Sequence, residues 1–418
     1  MRNRSLSPGD LAALPDAELL EAVQRQTFAF FWEASHPVSG LAPDRCTTSA
    51  NPADDLVATG GSGFGVMAHI VAAERGWITR AAAAERIGHM LELLNRATCY
   101  HGVFPHFMNG RTGATIPFSR KDDGGDLVET SFLIMGLLCA REYFKRKNPQ
   151  ESKIRGLIDY LWAEVEWTWY TRSGSVLQWH WSPNNGWALD HEIRGWNECL
   201  VTYILAASAP RYFINPRAYH EGFAVGRNFL NGNSYYDIVL PLGAPFGGPL
   251  FLSQYSFCAM DPRNLADRYA NYWQQNLNHV HINRAHCVKN PMQHPGYGAS
   301  CWGLTASDGP GGYAAHSPTE DDGTISPTAA ISSMPYAPKE AIRAIRHFLK
   351  VHGEKIWGRF GFVDAFCEAR NWYADTYLAI DQGPIVVMIE NHRTGLLWNL
   401  FMKAPEIQAG LRALSFTR

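Results

Sequence analysis

Four carboxylates crowd a glycine turn in Lys121-Asp-Asp-Gly-Gly-Asp-Leu-Val-Glu-Thr-Ser-Phe132: Asp122, Asp123, Asp126 and Glu129. A further acid, Glu198, follows Gly195-Trp-Asn at the opening of the apolar run Cys199-Leu-Val-Thr-Tyr-Ile-Leu. Another, Asp381, stands in Ile380-Asp-Gln-Gly-Pro384, ahead of Ile-Val-Val-Met-Ile. Paired acids cleave glycosidic bonds when one is held neutral to donate a proton and another is ionised to activate water. The same chain carries 14 Trp, 17 Tyr and 21 Phe, residues whose apolar faces and polar edges suit stacking on sugar rings.

Each acid also has a purely structural reading. Asp126-x-x-Glu129 has the spacing of a helix capping box, in which both side chains satisfy orphan backbone N–H groups. Asp122 and Asp123 weaken that reading, because they add like-charge repulsion without capping anything. Such crowding raises at least one pKa, as a general acid requires, although Arg120 and Lys121 offset it. An acid at position 198 favours a helix dipole. Its preceding loop, Gln178-Trp-His-Trp-Ser-Pro-Asn-Asn-Gly-Trp187, resembles a sugar platform and would desolvate it. Asp381 reads either as a cap with Pro384 at the first helical position, or as a base acting through water.

Other chemistries fit less well. His279-x-His281 with His286 and Cys287 resembles a zinc cluster, but no second liganding group recurs and no His-Glu-x-x-His occurs, so neither metal nor cofactor is expected. Asp122-Asp123-Gly-Gly-Asp126 matches the Asp-Asp-x-x-Asp pattern of magnesium-dependent prenyl-diphosphate enzymes. Two adjacent glycines inside such a helix would cost about 1 kcal/mol each, and Asp321-Asp-Gly-Thr-Ile lacks the downstream Glu of the second motif. Gly60-Gly-Ser-Gly-Phe-Gly65 and Gly309-Pro-Gly-Gly312 lack the ending of a phosphate loop and read as turns or places of close backbone approach.

The elements that must position these acids are helical. Apolar residues recur with helical spacing in Leu19–Trp32, Phe64–Ala73, Ile87–Leu94, Leu127–Phe144, Ile154–Trp167, Leu200–Ala207, Ala218–Phe229, Leu265–Asn276, Ile342–Val351 and Ile385–Phe401, or roughly ten to twelve helices. Alternation is confined to Thr112–Ser119, Ser175–Trp181 and Phe360–Phe366, which read as small hairpins in loops. Short connections alternate with long ones rich in Gly, Pro, Trp and Asn. A toroid of helical hairpins needs that alternation, with its long loops gathered over one end to form the site. No linker or charge block divides residues 1–418, so a single domain is expected.

Composition narrows the partner. A net charge of −2 gives no reason to expect nucleic acid or an anionic membrane, and the ligand should be nearly neutral. No apolar run approaches the ~20 residues that span a bilayer. The N-terminus has basic residues without a following apolar region, so the chain as written carries no signal peptide and reads as cytosolic unless a signal was removed. Eight scattered cysteines without a Cys-x-x-Cys pair are expected as thiols.

From about Thr27 through Trp398 the chain resembles the glucoamylase-like family of bacterial proteins, and within it glycoside hydrolase family 144, the β-1,2-glucanases. It is also similar to the related domain of cyclic β-1,2-glucan synthases. The marks are Asp126-Leu-Val-Glu-Thr-Ser-Phe132, Ile193-Arg-Gly-Trp-Asn-Glu198, Trp302-Gly-Leu-Thr-Ala-Ser-Asp-Gly-Pro-Gly-Gly-Tyr313, Gly361-Phe-Val-Asp-Ala-Phe366 and Ile380-Asp-Gln-Gly-Pro-Ile-Val-Val-Met-Ile-Glu-Asn-His-Arg-Thr-Gly395. The resemblance implies an (α/α)6 barrel, a metal-free site at one end, and inverting hydrolysis of β-1,2-linked glucose chains. The family's important acids fall on Asp122, Asp126, Glu129 and Glu198. Cys367 stands where a polar residue would be expected, and an export signal usual in the family is missing from the chain as written.

Glu198 is expected as the acid, with Asp126, Glu129 or Asp381 as the base, directly or through a sugar hydroxyl. The expected lining residues are Trp181, Trp187, Arg194, Trp302, Tyr313, Trp372 and Gln382, any Trp among them having core packing as its alternative. Endo action, exo action releasing sophorose or acting on short oligosaccharides, and a non-catalytic carbohydrate-binding role all stay open at this point, as does oligomeric state.

Overall fold

The structure, a computed structural model, describes residues 6–49 and 55–418. After a short entry helix α1 (Pro8–Ala13), helices alternate between outer and inner positions. α2 (Asp16–Glu33) lies outside and α3 (Thr59–Glu74) inside, then α4 (Arg80–Leu94) outside and α5 (Leu127–Tyr143) inside, then α6 (Pro149–Ala163) outside and α7 (Leu200–Ser208) inside. The fourth pair is abbreviated to a π-type turn at Ala218–Phe223 and two 3₁₀ turns at Leu250–Ser253 and Ser256–Cys258. α8 (Tyr272–Lys289) and α9 (Pro327–Ile331) make the fifth pair. The sixth is α10 (Pro338–His347), trailed by the single turn α11 (Gly353–Ile356), with α12 (Ala379–Arg393) inside. α13 (Leu396–Phe401) and α14 (Pro405–Ala413) pack on α5 and α7.

Composition sorts the two layers. α3 buries an unbroken run from Thr59 to Ala72, and α5 one from Leu127 to Glu142. A helix apolar all round belongs in the interior. α4 instead buries one stripe, Ala83, Ala84, Ile87, Met90, Leu91, Leu93 and Leu94, and shows water its other face. Round the inner ring α7 packs on α5, α5 on α3, α3 on α12 and α12 on α9. The abbreviated fourth segment closes it: Ser256 Oγ accepts the Val201 N–H at 3.0 Å, and Gln254 Nε2 donates to the Ala329 carbonyl at 3.1 Å. The architecture is the expected (α/α)6 toroid, and its apolar core runs without a break from Leu11 to Phe416.

The glycine run 60–65 forms the start of α3 and is no turn. The reason is contact. A Cβ on Gly63 would lie 2.2 Å from the Phe132 carbonyl oxygen, and one on Gly136 would lie 2.2 Å from the Gly63 oxygen. α3 and α5 therefore touch backbone to backbone, which offsets the helix propensity lost at glycine.

Segments entering the inner helices are long (34–58, 95–126, 164–199, 224–249, 290–326, 348–378), whereas those leaving them are shorter (75–79, 144–148, 209–217, 259–271, 332–337). All inner-helix N-termini therefore open under the long loops. Their unpaired N–H groups and positive dipole ends converge there, which favours carboxylates at that end.

Several boundaries differ from the sequence reading. The helix expected over 265–276 runs instead over Tyr272–Lys289, because this outer helix buries Gln275, Asn276, His279, Asn283 and His286, which periodicity counts as polar. The run 385–401 splits at Gly395, whose φ of +70° stops α12. Ala218–Phe229 shortens to one turn. α12 starts at Ala379, so Asp381 lies inside its first turn and Pro384 inside the helix rather than at its first position. The expected hairpins are smaller and paired more distantly: Thr115–Ile116 joins Phe107–Asn109, which joins Leu56–Ala58, and His180–Trp181 pairs with Gly125–Asp126. Two tight hairpins, Trp357–Gly358 with Gly361–Phe362 and Phe366–Cys367 with Trp372–Tyr373, replace the third. All eight cysteines are free thiols. Among the described residues no helix is long and apolar enough to cross a membrane.

Candidate active site

Asp126 is the N-cap of α5. Its Oδ1 accepts the N–H groups of Val128 at 3.0 Å and Glu129 at 2.9 Å. The capping box is only half formed, because the Asp126 N–H donates to the Phe104 carbonyl while Glu129 turns away and accepts the Gly60 N–H at 2.7 Å. Glu129 is thus free of capping duty and reaches the mouth of the neighbouring inner helix. Burial pushes its pKa up to about 7, against the pull of His106 and the Gly60 N–H.

His106 carries the positive charge of the site. Its Nδ1 lies 3.0 Å from Asp126 Oδ2, which also accepts Trp179 Nε1–H at 3.3 Å. Burial opposes charging the ring, but Glu129, Asp126 and Asp122 together raise its pKa to about 10, so it is an imidazolium at neutral pH. Asp122, half-buried and 3.1 Å from His180 Nε2, is pushed up to about 6 by burial and by Asp126. Asp123 turns outward to Ser182 and Asn184 and is held below the usual range by those bonds, against a burial effect that raises it. His106, Asp122 and Asp126 each offer one ligand atom within 4.8 Å, the residue types of a cation site. In this arrangement the imidazolium stands where a cation would and offsets part of the charge of the two aspartates.

Glu198 enters from the turn before α7, 8% exposed. Its backbone oxygen is held by the Ser256 hydroxyl. Burial pushes its pKa up to about 7, with Asp126 and Glu129 adding to the rise and only its own backbone N–H opposing it. Glu129 and Glu198 both face one cavity of about 350 Å³, with His106, Phe107, Phe118 and Trp179 on one side and Arg45, Phe251, Tyr255 and Tyr313 on the other.

Behind that second wall sits another acidic group. Asp364 and Asp381 are buried against each other with Asp308 close by, and one oxygen of each, Asp364 Oδ1 and Asp381 Oδ2, has no donor among the described residues. Burial and the Asp308 charge push Asp364 up to about 7, against the Asp308 N–H and the Asp381 contact, while burial and Asp364 push Asp381 well above its ordinary value, so the pair shares a proton. Asp364 Oδ2 accepts the Asp308 N–H at 2.6 Å, and Asp308 pairs with Arg45 at 3.1 Å on the cavity wall.

The family model Glycoamylase, described as "Putative glucoamylase", matches residues 190–405. An endo-β-1,2-glucanase from Chitinophaga pinensis, solved with sophorotriose and glucose, is 49% identical with a TM-score of 0.94, over 97% of this chain and 99% of that one. The chain belongs to the glucoamylase-like family, glycoside hydrolase family 144. A "putative glucoamylase" of known structure from Bacteroides uniformis is 54% identical, TM-score 0.94, over 97% and 98% of the two chains. An exo β-1,2-glucooligosaccharide sophorohydrolase (non-reducing end) from Parabacteroides distasonis is 42% identical over 96% of this chain. This chain spans 58% of that curated relative's length.

In this family 144 chain, the structure brings Asp122, Asp126, Glu129 and Glu198 together and sets Asp381 behind the opposite wall. Of the aromatic and polar residues expected to line the cleft, Tyr313 does so, 53% exposed. The other six stand elsewhere. Trp302 is fully buried in the core. Gln382 is buried and donates to the carbonyls of Phe360 and Phe362, holding the 357–362 hairpin. Trp372 is fixed in its own hairpin opposite Cys367, and Arg194 pairs with Glu192 at the surface. Trp181 packs on Tyr100, His101 and Trp169, and Trp187 on Trp169 and Tyr170.

The lining residues that sequence reasoning missed are His106, Phe118, Trp179, Asp44, Arg45 and Tyr255. Trp179 carried a usable signal: it lies in the same Trp-rich loop, one residue before the strand that pairs with Gly125–Asp126. His106 sits in a loop and Arg45 in the three-residue strand Arg45–Thr47, neither with a local pattern. His279 and His286, from the zinc-like cluster set aside in the sequence, are bonded to Ser253 and Gly248 and to Asp321 and Tyr236 respectively.

Proposed function

We propose that this protein hydrolyses β-1,2-linked glucan with inversion of configuration, and that the described chain works as one catalytic unit. The observation that carries the reading is the unequal surroundings of Glu129 and Glu198, two buried glutamates facing one cavity. Among the described residues no cation pairs with Glu198, so up to about pH 7 it keeps a proton to give to the leaving glycosidic oxygen. Glu129 has the His106 imidazolium and the Gly60 N–H to stabilise its anion, which suits the base that takes a proton from water, directly or through a neighbouring sugar hydroxyl. Asp126 holds His106, Trp179 and the α5 terminus in register, and Asp122 extends the negative field. Both carboxyls are pushed up to about 7, so the imidazolium and the N–H beside Glu129 are what distinguish base from acid.

The substrate class rests on the relatives. The Chitinophaga pinensis protein is an endo-β-1,2-glucanase and aligns with this chain nearly end to end, which favours endo action. The Parabacteroides distasonis protein releases sophorose from chain ends and is longer, so exo action is the second reading.

Incubation with linear β-1,2-, β-1,3- and β-1,4-glucans, with products separated over time, tests both. A mixed ladder from the β-1,2 polymer supports endo action, and an early single disaccharide supports exo action. Inactivity on all three, with binding retained in Glu198→Gln, would leave a carbohydrate-binding protein.

A further inference from the structure

Outside the cleft, a cavity of about 550 Å³ is lined by Trp169, Trp187, Arg172, Ser173, Tyr212 and Glu166. We propose that it is a second carbohydrate-binding site, which takes a neutral segment of the glucan chain whose cleavage is proposed above. Aromatic faces supply the first argument. Trp169 is 40% exposed, and its buried side is braced by His101, stacked at 3.8 Å between ring centroids. Trp187 stands 6.3 Å away at 35°, giving two indole surfaces at a shallow angle. Tyr212, 37% exposed, is the third aromatic.

Charge supplies the second. The ionised rim groups are already paired, Arg172 with Asp190 at 2.7 Å and Glu166 with His101 at 3.1 Å. An ionic ligand would have to break a pair, whereas a sugar hydroxyl can bond to the outer atoms of both. Paired charges around exposed aromatic faces match a neutral polyol.

Backbone strain supplies the third. His101, Arg172, Ser173, Asp190 and Tyr212 all have φ between 46° and 62°. These are five of the thirteen non-glycine residues with positive φ among those described, and every one lines this cavity or braces its walls. Such conformations persist where surrounding structure over-determines them, commonly at ligand sites.

The cavity backs onto the acid cluster through the strand His180–Trp181. Trp181 packs edge-on against Trp169 at 6.1 Å, and its neighbour His180 contacts Asp122.

The inference rests on the proposed substrate, and the test separates the two. In Trp169→Ala the ratio of KM for long β-1,2-glucan to KM for a β-1,2-linked trisaccharide should rise about fivefold, the loss of one aromatic stacking contact. Trp169→Phe should restore most of it, which a folding defect would not do. An unchanged ratio in an active enzyme overturns the second site. If the wild type cleaves no β-1,2-glucan, the proposed reaction fails, and retardation of Glu198→Gln in β-1,2-glucan gels decides the site alone. Retardation weakened by adding Trp169→Ala supports it, and no such difference overturns it.

Discussion

The Gly60 N–H donates to Glu129 Oε2 at 2.7 Å, and a Cβ on Gly60 would stand 2.6 Å from that same oxygen. The first turn of α3 therefore holds the carboxylate of α5, and only a residue without a side chain allows it. Gly60→Ala should favour the helix locally yet displace the carboxylate. We expect kcat on β-1,2-glucan to fall about tenfold to a hundredfold with thermal unfolding nearly unchanged. Equal losses of activity and folding would refute a positioning role.

Glu198 must be protonated to act as the acid. With its pKa pushed up to about 7 from the usual 4.5, kcat/KM should decline as pH rises above about 7, while protonation of Glu129, also pushed up to about 7, sets the acidic limb. Glu198→Gln should lower kcat by about 10²–10⁴ and abolish that alkaline limb while leaving substrate affinity within a few-fold. A limb unchanged in residual activity would assign it to another group.

His106 is the counter-charge for Glu129, Asp126 and Asp122. In His106→Gln the cluster loses a cation, so the pKa values of Glu129 and Asp122 should move further up and the acidic limb of the pH–rate profile should shift to higher pH. A limb that stays in place would show that the base lies outside its reach.

The Asp364–Asp381 pair gives a stability test. Asp364 has a folded pKa of about 7 against an ordinary 3.8, so its contribution is fully present below pH 3.8 and is lost as pH rises through 7. Asp364→Asn keeps an oxygen for the Asp308 N–H and offers Asp381 an N–H donor. The variant's melting temperature relative to wild type should therefore be higher at pH 8 than at pH 5, by about 2 °C or more. A difference independent of pH would show that the pair carries no shared proton.

Two tryptophans separate packing from recognition. Trp302→Ala should destabilise by about 3–5 kcal/mol, as loss of a fully buried indole does. Trp179→Phe should cost little stability but reduce kcat, because it removes the N–H on Asp126. Denaturant titration with parallel kinetics distinguishes the two.

What the sequence alone determined is local. Runs apolar on all sides specify inner helices, one-sided stripes specify outer ones, and alternating connection lengths put the long loops at one end, so the toroid and its acidic end were legible. Asp126 as an N-cap was legible too, because a cap is satisfied within three residues. Only the tertiary structure decided the rest. The partner of Glu129 is an N–H 69 positions away, and the proton shared by Asp364 and Asp381 depends on a loop meeting the first turn of α12. Trp302 in the core and Trp179 on the cavity wall have the same side chain and differ only in what packs around it. Local spacing encodes hydrogen bonds within a turn, whereas burial and electrostatic coupling are set by the helices the ring places side by side.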